Sequence, residues 1–255
     1  MLPEALHYLF TPCPAWVRKM GYLRESVATN ARAKRCRAAW AEHLNLCKEE
    51  ITSFVNSLGK QPRIAVLGSG WQLDLPVEFL AQACKEVVLV DIIHPLPARL
   101  RGKRHGMQCV SADVTGVLEG DIFHHRWPES FSVNHLDFLG KFDGIISLNL
   151  LSQLSLLPLD WMERNRPLMD ENTLTYAKHI QQAHWELLHQ LAPKICLITD
   201  TEILSTKNGQ TPHFEKKLVH ISLPEPKASW LWTVAHLGEI NAHESFIHRV
   251  AVFKL

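Results

Sequence analysis

Gly68, Gly70 and Asp91 are the residues whose types and spacing first suggest chemistry. The two glycines flank Ser69 at the end of an apolar run, RIAVL. Without a Cβ there, the backbone can turn sharply and approach a bound molecule, while a following helix offers unpaired N–H groups. Asp91 closes a second apolar run, EVVLVD, 23 residues after Gly68. That is close to the offset of about 20 residues at which an acidic side chain takes both hydroxyls of an adenosine ribose. A Gly-x-Gly alone is a tight strand-to-helix turn. With the acidic strand end it describes a nucleoside-binding unit.

A dinucleotide would want a third glycine three residues after Gly70, and that position is Leu73. The chain also lacks a second mononucleotide half. Both features argue against a nicotinamide cofactor and for a ligand with adenosine but no pyrophosphate. No metal site is expected: the 15 histidines form no His-x-His or His-Glu-x-x-His, and the adjacent His124 and His125 cannot share one helical face. The six cysteines include no Cys-x-x-Cys pair, and several lie inside apolar runs; they read as reduced, buried and intracellular.

These residues need a parallel sheet to position them. After Pro62 the runs 63–68, 86–91, 107–112, 142–149 and 194–200 read as strands covered on both faces, separated by helical patterns at 74–84, 95–104 and 171–191. Strand, helix, strand repeated in this way makes a parallel α/β sheet with right-handed crossovers. Asp74 is a candidate N-cap for the first of these helices, with Pro76 in its first turn. The ending differs. Runs 230–240 and 245–255 are joined too closely for a crossover and must pair antiparallel, and 214–223 offers a further strand beside them. The segments 114–140 and 152–170 are longer, rich in His, Trp and Pro, and follow strand ends, where lids and substrate walls are built.

The first 60 residues read as helical. From an N-cap at Thr29 or Asn30, apolar residues recur at Cys36, Trp40, Leu44, Cys47, Ile51, Phe54 and Leu58 until Gly59, which predicts one long amphipathic helix. Arg32 falls in line with that stripe, either snorkelling at the core edge or aimed at an anion. The chain therefore divides into a helical cap over 1–60 and an α/β domain over 61–255.

Composition excludes some roles. The 255 residues are 46% hydrophobic and 21% charged, with a formal net charge of +1, so no global field favours nucleic acid or a membrane. The first 60 residues carry nine Lys and Arg against five Asp and Glu, a mildly basic head on a mildly acidic body. No stretch approaches the ~20 apolar residues of a membrane span, and the N-terminus lacks the pattern of a signal peptide. A cytoplasmic protein is expected. Nothing in the pattern encodes an oligomeric state.

In order and spacing, residues 62–255 resemble a class I S-adenosylmethionine-dependent methyltransferase. The resemblance implies a doubly wound, mostly parallel seven-stranded Rossmann-like sheet with a C-terminal antiparallel hairpin, and S-adenosylmethionine as cofactor. It implies that Gly68, Ser69 and Gly70 line the methionine part, that Asp91 binds the ribose with Ile92 against adenine, and that Asp113 and Val114 lie at the adenine edge. Asn149 and Leu150, in SLNLLSQL, would face the transferable methyl. The sequence departs from the family at Val66, where an acidic residue is usual, and at Gln72, where the third loop glycine is usual, with bulky Trp71 before it.

Methyl transfer needs alignment and, for a protic acceptor, a base. Asn149 lacks the Pro-Pro-aromatic context of amino methylation. The base candidates are Asp200 and Glu202, just past the fifth strand, then Tyr176, His124 and His125. A small molecule is the expected acceptor. RNA is the other acceptor, suggested by the basic head and by Trp127 and Trp161, although RAKRCR supplies only four positive charges. A domain that binds a nucleoside ligand or partner without transfer is the non-enzymatic alternative, and a nucleotide-dependent oxidoreductase the third.

Overall fold

The computed structural model describes residues 2–164, 170–207, 212–236, 238–239 and 244–255. Four helices come first: α1 (Leu2–Phe10), α2 (Ala15–Lys19), α3 (Tyr22–Arg35) and α4 (Arg37–Ser57). The α/β part follows as β1 (Arg63–Leu67), α5 (Val77–Ala83), β2 (Glu86–Asp91), α6 (Leu96–Arg104), β3 (Gln108–Ser111), β4 (Gly144–Leu148), α7 (Leu156–Glu163), α8 (Asp170–Leu191) and β5 (Ile195–Lys207). It ends with β6 (His213–Lys217), β7 (Ala228–Ala235) and β8 (Glu244–Lys254).

The sheet runs β3-β2-β1-β4-β5-β8-β7, with β1 to β5 parallel and β8 antiparallel to both β5 and β7. This is the doubly wound sheet with a terminal hairpin that the sequence implied, with eight strands in place of seven. The extra strand, β6, pairs with the distal half of β5 and not with the hairpin. That is possible because β5 runs seven residues beyond the predicted end at Asp200, past the last partner on β4, which leaves an edge for β6 to fill.

Period-two alternation assigns each strand residue to one of two cores. Ala65, Leu67, Ile145, Ile195 and Leu197 face the layer containing α8 and the 114–142 segment. Ile64, Val66, Ile146, Cys196 and Ile198 face α4 and α5. The stripe predicted on the N-terminal helix is therefore part of the main core: Trp40, Cys47, Ile51 and Phe54 are buried against these strands. β3 is a half-exposed edge, not covered on both faces as its sequence suggested.

The single long helix is a correction. It breaks at Cys36 (φ −94, ψ 23), and α3 begins at Tyr22 after the left-handed Gly21, so Thr29 and Asn30 lie inside a helix rather than capping one. The break lets α4 follow the sheet while α3 turns over the end of β1. The 152–170 segment contains α7 in its first part; residues 165–169 lie outside the described residues. All six cysteines are free, four buried and two, Cys13 and Cys109, only half-buried. Among the described residues no helix is long and apolar enough to cross a membrane.

Candidate functional site

A cavity of about 680 Å³ opens along the carboxyl ends of the strands, within the range of small-molecule sites. It spans the point where the strand order reverses between β1 and β4, the expected crevice of an open α/β sheet.

The turn after β1 is its centre. Gly68 has φ +84, and a Cβ there would lie 2.5 Å from the Leu148 carbonyl oxygen, so only glycine fits. Its N–H donates to the Val90 carbonyl at 2.9 Å. Two residues on, the Gly70 N–H donates to Asp91 Oδ2 at 2.8 Å, and the Ile93 N–H to Asp91 Oδ1 at 3.2 Å. Burial pushes the Asp91 carboxyl up to about 6, opposed by these N–H groups. Each oxygen keeps a lone pair for a ligand hydroxyl. Ser69 offers backbone only, because its hydroxyl lies 3.0 Å from His94 Nε2, away from the opening.

The residues that depart from the resembled pattern have local explanations. Gln72 adopts φ +58, the left-handed conformation a glycine takes most easily, and its buried amide donates to the Ala98 carbonyl at 2.9 Å, tying the loop to α6. The Trp71 indole donates to the Ser26 carbonyl at 2.8 Å and so docks α3 over the turn. Val66 is fully buried in the core, leaving no carboxylate at that point.

Asp74 is not the N-cap of α5; that position is Pro76. The chain from 71 to 76 is irregular, which frees the Asp74 side chain to enter the cavity wall, where its Oδ2 accepts from Asn149 Nδ2 at 2.8 Å. Burial raises its carboxyl to about 6. Asn149 has φ +48 and a buried Oδ1 with no partner among the described residues. Beside them lies His43, whose Nδ1 accepts from the Trp230 indole at 3.1 Å and whose ring stacks on Trp232 at 3.8 Å. Burial, then repulsion from the His248 ring when that ring holds a second proton, lowers His43 to about 3, so it is neutral.

Among the described residues, two clusters bring three ligand-type atoms within 4.8 Å, Cys36 with His236 and Glu239, and His43 with Cys47 and Asp74. In the second, the Trp230 hydrogen bond to Nδ1 keeps the proton on His43 Nε2, the nitrogen a metal would need.

At the other end of the cavity are Ile92, Val114 and Asp113. Both Asp113 oxygens are already engaged: Oδ1 accepts from the Thr115 N–H at 2.8 Å and hydroxyl at 2.7 Å, and Oδ2 from the Leu118 N–H at 2.9 Å. Asp113 thus shapes its own loop first, with residual acceptor capacity toward the cavity. Leu150 packs on Gly68. Arg32 lines the cavity from α3, and its Nε is buried without a partner among the described residues.

Of the base candidates, Asp200 lies within β5, 2% exposed and on the cavity wall; its Oδ2 contacts His248 Nδ1 at 2.9 Å and its Oδ1 is buried without a partner among the described residues. Glu202 is also inside β5 but pairs with Arg249 at 2.8 Å, off the cavity wall. The strand extension and a bulge between Asp200 and Glu202 separate their directions. Tyr176 is buried behind the wall against Trp127. Its phenol is held above its ordinary range by burial and then by Asp113. His124 is exposed, and His125 stacks on Trp161 at 5.2 Å, so neither histidine reaches the cavity. The sequence reading missed His43, Asp74 as a cavity residue, Trp232 and His248. The last two stand in an alternating strand where nothing marks them as site residues.

No family model and no curated protein matches the chain. Among solved structures it is similar to the 1,6-didemethyltoxoflavin-N1-methyltransferase of Burkholderia thailandensis with bound 1,6-didemethyltoxoflavin and S-adenosylhomocysteine (15% identity, 94% of this chain and 91% of that one, TM-score 0.41). It is also similar to the glycopeptide N-methyltransferase MtfA complexed with S-adenosylhomocysteine (11%, 79% and 72%, TM-score 0.35) and to an rRNA methylase from Streptococcus thermophilus (13%, 78% and 93%, TM-score 0.36).

Proposed function

We propose that the chain is an S-adenosylmethionine-dependent methyltransferase acting on a small-molecule acceptor. The observation that carries this reading is the Gly68–Gly70 turn bonded through its backbone to Asp91, at the mouth of a cavity on the reversal point of the sheet.

The residues fit the cofactor's parts. Asp91 would take the ribose hydroxyls, and Ile92, Val114 and Asp113 would flank the base. The bare backbone at Gly68, Ser69 and Gly70 leaves room for the methionine chain. Unsatisfied groups match its termini: Arg32 Nε would donate to the carboxylate, while Asn149 Oδ1 and the Asp74 carboxylate would accept from the ammonium. Asp74 thereby supplies the charge absent at Val66. When bound, the cofactor supplies a methyl group already activated on a sulfonium. The protein's work is to exclude water, align the acceptor near Asn149 and Leu150, and remove a proton if the acceptor carries one.

Leu73 remains an argument against a nicotinamide cofactor. An RNA acceptor has little support, since Arg24, Arg32 and Lys216 are the cations of the described cavity wall. The non-transferring alternative rests on Val66 and Gln72. The free thiols support a cytoplasmic setting.

Ligand-dependent thermal stabilisation tests the assignment. S-adenosylhomocysteine at 100 times its dissociation constant is expected to stabilise the fold by about 2.7 kcal/mol, with NAD leaving the midpoint unchanged. Stabilisation by NAD alone would overturn it.

A further inference from the structure

The cavity is longer than the cofactor assignment uses. Beyond Asn149 it continues over β5, β8 and β7, where Asp200, His248 and Trp232 line the wall, facing Trp40 and His43 from α4. We propose that His248, oriented by Asp200, is the general base for methyl transfer, and that the acceptor is a flat aromatic ring presenting an ionisable O–H or ring N–H. This rests on the methyltransferase reading above.

The pairing is built by the fold. Asp200 lies opposite Val250 in the β5–β8 ladder, which makes it a diagonal neighbour of His248 on the same face. The bulge that follows places Ile203, not Glu202, opposite His248. Asp200 Oδ2 accepts from His248 Nδ1–H at 2.9 Å, so the lone pair of the imidazole is on Nε2, which has no hydrogen-bond partner among the described residues. A carboxylate that fixes the tautomer of a cavity histidine is the arrangement of an oriented base.

The surroundings reserve the proton for His248. The groups facing it are Asp200 from β5, Trp232 from β7 and His43 from α4, with the Lys216 ammonium of β6 on the same wall, in register across Ile203. His43 is held neutral, with its acceptor nitrogen occupied by Trp230, so it does not compete.

The acceptor class follows from the wall. Trp40, Trp232, Val234, Ile203 and Leu218 are aromatic or apolar. Among them are two buried polar atoms without partners among the described residues, a donor, Trp232 Nε1, on a residue 8% exposed, and an acceptor, Asp200 Oδ1, on one 2% exposed. A largely apolar slot with one unpaired donor, one unpaired acceptor and the Lys216 cation on its wall suits the edge of a heteroaromatic or phenolic ring, and the anion that ring forms, better than a sugar. In the reaction, the acceptor's proton passes to His248 Nε2. The electron pair left on oxygen or nitrogen forms the bond to carbon as the carbon–sulfur pair returns to sulfur.

The experiment titrates protein saturated with S-adenosylhomocysteine with flat protic probes, 4-nitrophenol, 7-hydroxycoumarin and benzimidazole, beside their methylated counterparts and cyclohexanol. At least one protic probe is expected to bind ten times tighter than its methylated counterpart. The bound phenols should show more anion absorbance than the free probes at the same pH. His248→Gln should abolish both effects and Asp200→Asn the anion absorbance, each with S-adenosylhomocysteine affinity unchanged. Equal binding of protic and methylated probes, no binding by any ring, or an anion signal that survives His248→Gln would overturn the proposal. If S-adenosylhomocysteine does not bind at all, the cofactor reading fails. The same probes on ligand-free protein then still decide whether His248 accepts a proton.

Discussion

The backbone N–H of Gly70 donates to Asp91 Oδ2 at 2.8 Å, so the turn after β1 and the end of β2 form one unit before any ligand arrives. This relationship orders the Asp91 end of the cavity and links its stability to pH.

The Asp91 carboxyl is raised to about 6, so the folded protein holds that proton more tightly than the unfolded chain, where the value is about 4. Its contribution is most favourable below the unfolded value, declines as pH rises between about 4 and 6, and stays low above that. Asp91→Asn should therefore gain thermal stability relative to wild type as pH rises from 4 to 7, by on the order of 1 to 2 kcal/mol after allowance for partial exposure. Calorimetric melting at both pH values checks this; a constant gap contradicts it.

Gly68→Ala should be far more damaging than Gly70→Ala. The added methyl at 68 meets the Leu148 carbonyl at 2.5 Å, whereas at 70 its nearest neighbour is Asp91 Oδ2 at 3.6 Å. Soluble yield and melting midpoint of the two variants give the comparison, and equal effects would mean that the β1–β4 approach is looser than described.

Asn149→Ala removes the donor to half-buried Asp74 and leaves an alanine at φ +48. A cost of about 3 kcal/mol is expected, combining a hydrogen bond to a charged group with left-handed strain. Asn149→Gly removes the same amide without the strain and should cost less. Denaturant unfolding that ranks glycine as the worse substitution would remove the strain argument.

Most of the parallel core was legible in the sequence, because β1, β2 and β4 are short apolar runs with breakers on both sides. Gly68, Gly70 and Asp91 were legible as a group because their spacing is set by one strand–helix–strand unit. The reading failed where tertiary structure overrode local pattern. The Cys36 break was hidden by a stripe whose period continues through it, and Asp74 looked like a helix cap because only the fold brings Asn149 beside it. Asp200 was singled out by its place beside the fifth strand, but the histidine it contacts is 48 residues away in sequence, and no local spacing joins them.

Arg32→Ala should weaken S-adenosylhomocysteine at least tenfold, about 1.4 kcal/mol, and leave adenosine binding unchanged, because only the former carries a carboxylate. Equal losses for both ligands would make Arg32 a packing residue of α3.

The central claim is that the Gly68–Asp91 unit holds S-adenosylmethionine, and calorimetric titration of wild type and Asp91→Ala with S-adenosylmethionine, S-adenosylhomocysteine and NAD tests it most directly. Micromolar binding of the first two to wild type, lost in the variant, with no heat from NAD, is the predicted result. Absence of binding by either sulfur compound, or equal binding by the variant, would contradict the account.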